Sequence, residues 1–135
     1  MADWFDPMRL KILLLPRKDA NPFGRNPDYY FLKGHDFLRM RDYNTAIQHF
    51  KKGVSDKGTH YLCRFNLGFT LFKVGHFQAA VEQYCILVHQ CVEQGIHAKS
   101  KLPGILYNKT ACELQCGYFE DAAATSTSCI EIMKE

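Results

Sequence analysis

The sequence predicts an all-α fold made of three consecutive helical hairpins. Three observations carry this: the chain matches itself when Phe31 is laid on Phe65, its apolar residues recur at helical spacing, and each copy is interrupted near its middle. The stretch FNLGFTLFKVGHFQAA (65–80) shows the last two together. Phe65, Phe69 and Phe72 recur at i, i+4 and i+7, Gly75-His76 breaks the period, and Phe77, Ala80, Val81 and Tyr84 begin a second apolar stripe.

The first hairpin is read over residues 27–58 and the second over 61–94. At a shift of 34, Phe31 falls on Phe65, Gly34 on Gly68, Tyr43 on Phe77, Ala46 on Ala80 and Phe50 on Tyr84. Five pairs of like physical kind are too many for coincidence. A third hairpin is read over 103–135. There Tyr107-Asn108 falls on Phe65-Asn66, Gly117 on Gly75, Phe119 on Phe77 and Ala122 on Ala80, now at a shift of 42. The extra length is assigned to QCVEQGIHAKSKLPG (90–104), as a longer helix end and a longer loop.

Each matched position has a steric reason. Ala46, Ala80 and Ala122 stand where the second helix of a hairpin crosses the first, and a methyl group there allows close approach of the backbones. Phe50 and Tyr84, one turn on, fill the gap where the helices diverge. Gly75 and Gly117 suit the left-handed conformation that commonly ends a helix.

These residues resemble the tetratricopeptide repeat (TPR), whose signature W-x2-L-G-x2-Y…A-x3-F…P is matched most fully by Leu67, Gly68, Leu71, Ala80 and Tyr84. The resemblance extends from about residue 27 to 135. It departs at Arg64, where the signature has tryptophan, and at Gly58 and Val92, where it has the closing proline. The third copy departs furthest, with Lys109, Thr110, Glu113 and Ser126 at positions that are usually apolar or small.

The resemblance implies a short right-handed α-solenoid whose concave side is lined by the first helix of each repeat. On that footing the groove residues are Phe31, His35 and Arg39, then Phe65, Asn66, Phe69 and Lys73, then Tyr107, Asn108, Ala111 and Gln115. Of these, Phe31, His35, Phe65, Asn66, Phe69, Tyr107 and Asn108 are expected to bind a peptide. The two amides would hold an extended backbone, and the rings would take apolar anchors. Aromatic residues at helical spacing serve equally well as core between repeats, and Phe65 is expected to be partly buried. One subset of the family grips the C-terminal carboxylate of heat-shock chaperones. Of that clamp only Asn66 is present, and Phe31, Gly104 and Asn108 stand where basic residues belong, so this chain is not expected to be a chaperone-tail receptor.

Composition limits the remaining choices. With 47% hydrophobic and 23% charged residues the 135-residue chain has enough apolar material for a real core, which excludes bulk disorder. A net charge of +3 with dispersed lysines and arginines gives no nucleic-acid arm and no basic patch for a membrane surface. The apolar run ILLL (12–15) is far short of the roughly 20 residues a spanning helix requires, and it lacks a basic leader or cleavage site. A cytoplasmic location follows as the expectation. The six cysteines then read as reduced packing thiols, since no four ligands stand at zinc spacing.

No motif of a catalytic or cofactor site is found: there is no phosphate loop, no G-x-S-x-G and no H-E-x-x-H, so no enzyme, metal or cofactor is expected. Residues 1–26, with Pro7, Pro16 and Pro22, form an N-terminal arm that caps the first repeat or contributes to a binding surface. The last helix carries Ile130 and Met133 with no polar capping helix after it, as in a piece of a longer chain or a subunit covered by a partner. The expected function is a non-catalytic protein–protein interaction module, an adaptor or scaffold that binds a peptide or helix in the concave groove. The alternative is a structural subunit packed into a larger assembly through the arm and the open face of the last helix.

Overall fold

The computed structural model describes residues 27–94 and 100–134; the N-terminal arm lies outside the described residues. Among the described residues all regular structure is helical: α1 (Pro27–Arg39), α2 (Tyr43–Asp56), α3 (Tyr61–Lys73), α4 (Phe77–Gln94), α5 (Leu102–Cys116) and α6 (Phe119–Lys134). The sequence period reappears in the element bounds. Pro27 and Tyr61, which open α1 and α3, are equivalent in the repeat, as are Tyr43 and Phe77, which open α2 and α4. Phe119, which opens α6, is in turn the equivalent of Phe77.

The three hairpin turns share one hydrogen-bonding scheme. In each, the residue after the left-handed one donates its N–H to a carbonyl in the last turn of the preceding helix: Asp42 to Phe37 O (2.9 Å), His76 to Leu71 O (2.9 Å) and Tyr118 to Glu113 O (2.9 Å). The left-handed residues themselves are Arg41 (φ 62°), Gly75 (φ 86°) and Gly117 (φ 80°). This is the Schellman ending, which satisfies carbonyls that the helix would otherwise leave open. The next helix starts at once, with Ala46, Ala80 and Ala122 donating to Asp42 O, His76 O and Tyr118 O. Asp42 also caps α2 through its carboxylate, which accepts from Thr45 N–H at 3.3 Å.

The chain divides into two compact units after Cys63, within the first turn of α3. In the first unit α1 packs on α2, with Phe31, Leu38, Ala46, Ile47 and Phe50 buried. The crossing is close because residue 34 is glycine: a β-carbon there would lie 2.5 Å from Cε1 of Phe50. The glycine of α2, Gly53, leaves room for the Cys63 thiol. Burying a ring such as Phe50 is worth about 1.5–3 kcal/mol, and loss of the glycine at residue 34 would forfeit much of it.

In the second unit Tyr84 of α4 packs against Gly68 of α3, whose added β-carbon would stand 2.9 Å from the ring. Phe65 meets the same ring edge to face at 5.8 Å between centroids, and Phe72 meets Phe77 at 5.4 Å. Helix α5 packs on α4 and α6 packs on α5. The buried residues of this unit include Leu67, Leu71, Leu87, Ile105, Cys112 and Ala122.

Candidate functional site

The structure places most of the expected peptide-binding residues in the interior. In the first unit Phe31 and His35 are both buried on α1, their rings 6.1 Å apart. Burial holds the His35 imidazole below its usual range, Arg39 lowers it further and Asp36 opposes them. In the second unit Phe65 is buried on the Tyr84 ring, and Asn66 is 0% exposed. Asn108 is buried too, and its amide donates to the Tyr84 hydroxyl at 3.4 Å. A side chain with no exposed surface, as that of Asn66, presents nothing to an incoming backbone in this conformation. Phe69 is half-buried, with the Lys73 ammonium 5.3 Å above its ring.

Tyr107 is the exception. It is 65% exposed and stands at the edge of an open groove of about 410 Å³ between α5 and α6. Thr110, Ala111 and Leu114 of α5 form one wall, and Ser126, Cys129, Ile130 and Met133 of α6 form the other. Leu114, Ile130 and Met133 are 50%, 54% and 69% exposed, so this is an apolar strip at the surface and not an interior void. Of these, Tyr107, Ile130 and Met133 are singled out by sequence, and Thr110 and Ser126 stand out there as departures from the repeat. Leu114 and Cys129 are not. Their signal is the repeat register, which places them on the equivalents of Phe72 and Leu87.

The remaining polar departures of the third copy meet one another. Lys109 bonds the Glu113 carboxylate at 3.0 Å and the Thr125 hydroxyl at 3.1 Å. The equivalents of Lys109 and Glu113 in the second hairpin are Leu67 and Leu71, both buried core. Glu113 is only 2% exposed, and its Oε1 has no hydrogen-bond partner among the described residues. An ion pair thus stands where the second hairpin has two leucines, with the desolvation cost that implies.

One constellation has the residue types of an acid–base site. His60 Nε2 lies 2.8 Å from Asp28 Oδ1, and Cys63 follows one helical turn along. The geometry is that of a helix cap. His60 Nδ1 accepts the backbone N–H of Cys63 at 3.2 Å, which fixes the proton on Nε2 and directs it to Asp28. The Cys63 thiol donates instead to Pro27 O at 3.3 Å. Desolvation, followed by the charges of Asp28 and Asp56, pushes this thiol up to about 12, the reverse of an activated nucleophile. Burial likewise pushes Cys112 up to about 12, with added contributions from Cys116 and Glu113.

Among the described residues no three His, Cys, Asp or Glu side chains converge to hold a metal ion, and no helix is long and apolar enough to cross a membrane. No family model matches the chain, and no curated protein matches it closely enough to count as a relative.

Proposed function

We propose that this chain is a non-catalytic protein–protein interaction module, a scaffold or adaptor whose contact surface on the described residues is the apolar α5/α6 face. The observation that carries the reading is the open strip of Tyr107, Leu114, Ile130 and Met133. Large apolar groups gathered at a groove gain the free energy of leaving water only when something covers them. The reading includes a TPR-like stacking of the three hairpins in a short right-handed solenoid. The repeated register of the helix starts and the shared turn geometry support it. On this reading the partner is a protein segment, a peptide or helix, and the site needs no cofactor.

The test is capture of partners by the full chain and by a Tyr107→Glu/Ile130→Glu variant, with helicity of both checked by circular dichroism. Both positions are exposed, so the variant is expected to keep its fold and lose its partner. Equal recovery by both proteins overturns the reading of this face.

A second reading is a structural subunit packed permanently into a larger assembly, and the exposure of Ile130 and Met133 at the end of α6 favours it. Size-exclusion chromatography separates the two. A well-behaved monomer supports the module, and aggregation relieved by a co-expressed partner supports the subunit.

A further inference from the structure

The first two hairpins share a device that the third lacks. Phe50 lies in the notch left by Gly34, and Tyr84 lies in the notch left by Gly68. In the register that lays Phe77 on Phe119, the places of Gly68 and Tyr84 are taken by Thr110 and Ser126. The ring is gone, and its neighbourhood is the α5/α6 groove: Tyr107, Thr110 and Ser126, the equivalents of Phe65, Gly68 and Tyr84, all line it.

We propose that this groove receives a tyrosine or tryptophan side chain carried on a helix of a partner protein, lying over Thr110 and Ser126 beside the place that the Tyr84 ring fills in the second hairpin. The proposal rests on the interaction-module reading and names what that module recognises. A helix is the occupant because the equivalent face of α4 is already covered by one. Helix α5 packs on α4, with Asn108 reaching the Tyr84 hydroxyl, and Leu87 and Cys91 of α4 are buried. Their equivalents on α6 are Cys129 and Met133, so the groove continues the α4–α5 interface by one repeat.

A polar aromatic is favoured over phenylalanine by the two hydroxyls. Thr110 Oγ1 donates to Leu106 O at 2.9 Å, and Ser126 Oγ donates to Ala123 O at 3.0 Å. Each hydroxyl proton is thereby used, and each oxygen keeps lone pairs that can accept. A phenol O–H or an indole N–H supplies the matching donor, and a phenyl ring does not.

The experiment uses the full chain labelled at methionine and isoleucine methyls, titrated with p-cresol, 3-methylindole and toluene as stand-ins for the three side chains. Saturable shifts of the Met133 and Ile130 methyls are expected. The two polar aromatics should bind about two- to tenfold tighter than toluene, the worth of one hydrogen bond. The variant Thr110→Gly/Ser126→Tyr rebuilds the missing interlock and should abolish the shifts while folding at least as stably. Should that variant not fold, Ala111→Phe plugs the same groove from the α5 side and carries the same expectation. Absence of saturable shifts, no preference over toluene, or undiminished shifts in the plugged variant would each overturn the proposal. Partner capture separates this failure from that of the broader reading. A partner kept by the plugged variant but lost by Tyr107→Glu/Ile130→Glu leaves the module standing without the aromatic anchor, whereas a partner kept by both removes the face altogether.

Discussion

Arg41 holds the same left-handed backbone in the first hairpin turn that Gly75 holds in the second, with φ of 62° and 86°. Both are followed by the same N–H to carbonyl closure at 2.9 Å. A β-carbon in this region costs roughly 1–2 kcal/mol, and arginine bears it where glycine does not. The Arg41→Gly substitution is therefore expected to stabilise the protein. The gain is about 0.5–1 kcal/mol once the greater freedom of glycine in the unfolded chain is deducted. A urea midpoint that falls would show that the Arg41 side chain, exposed as it is, makes a compensating contact.

The interlocked rings predict the opposite sign at two other glycines. In Gly34→Ala the new methyl would meet Phe50 at 2.5 Å, and in Gly68→Ala it would meet Tyr84 at 2.9 Å. Both rings are buried, so they have little room to withdraw. Overpacking of about 1–3 kcal/mol outweighs a helix-propensity gain of about 1 kcal/mol, and the loss should be larger at residue 34. Adding Phe50→Leu to Gly34→Ala should recover part of the loss, because a smaller side chain yields the space. Thermal melting of the three variants checks the order.

Replacing Lys109 by methionine should cost about 3–5 kcal/mol, since it strands the Glu113 carboxylate in the interior. The double change Lys109→Leu/Glu113→Leu restores the residues of the second hairpin and removes both charges. It should be neutral or stabilising by about 1–4 kcal/mol. Equilibrium unfolding in urea measures both. A double variant as damaged as the single one would mean that the pair contributes to stability beyond mutual neutralisation.

The hairpins were legible because each depends on a few residues whose steric role is local. Alanine at a crossing, a ring one turn later and a left-handed residue at the turn have the same reading in the linear sequence and in the fold. Arg41 escaped because its residue type hides a conformation that glycine advertises. The site was less legible, because a first-helix position says nothing of which neighbour covers it. Phe65 and Asn66 look like groove residues by repeat position, yet one packs on Tyr84 and the other lies wholly inside. The α5/α6 groove emerges from what the third copy lacks, and the loss of the Tyr84 ring at Ser126 reads in sequence only as a polar departure.

Stability should form a plateau in pH bounded by His35 on the acid side and by Cys63 and Cys112 on the alkaline side. The His35 value is lowered by folding, so the unfolded chain takes up the proton first. Its contribution is complete above the unfolded value near 6.5 and is lost as pH falls through the lower folded value. The two thiols are raised from about 9.0 to about 12, so the unfolded chain releases their protons first. Their contribution is complete below pH 9 and declines as pH rises from there towards about 12. Urea midpoints measured from pH 5 to 11 should trace this shape, and Cys63→Ala should flatten the alkaline limb while lowering the plateau through the cavity it leaves. The same burial governs reactivity. Exposed Cys85 should be alkylated readily at pH 8, whereas Cys63 and Cys112 should react only as fast as the surrounding structure opens. Rapid labelling of Cys63 in the folded protein would contradict the burial of its thiol against Gly53, whose desolvation, with the charges of Asp28 and Asp56, produces the raised value.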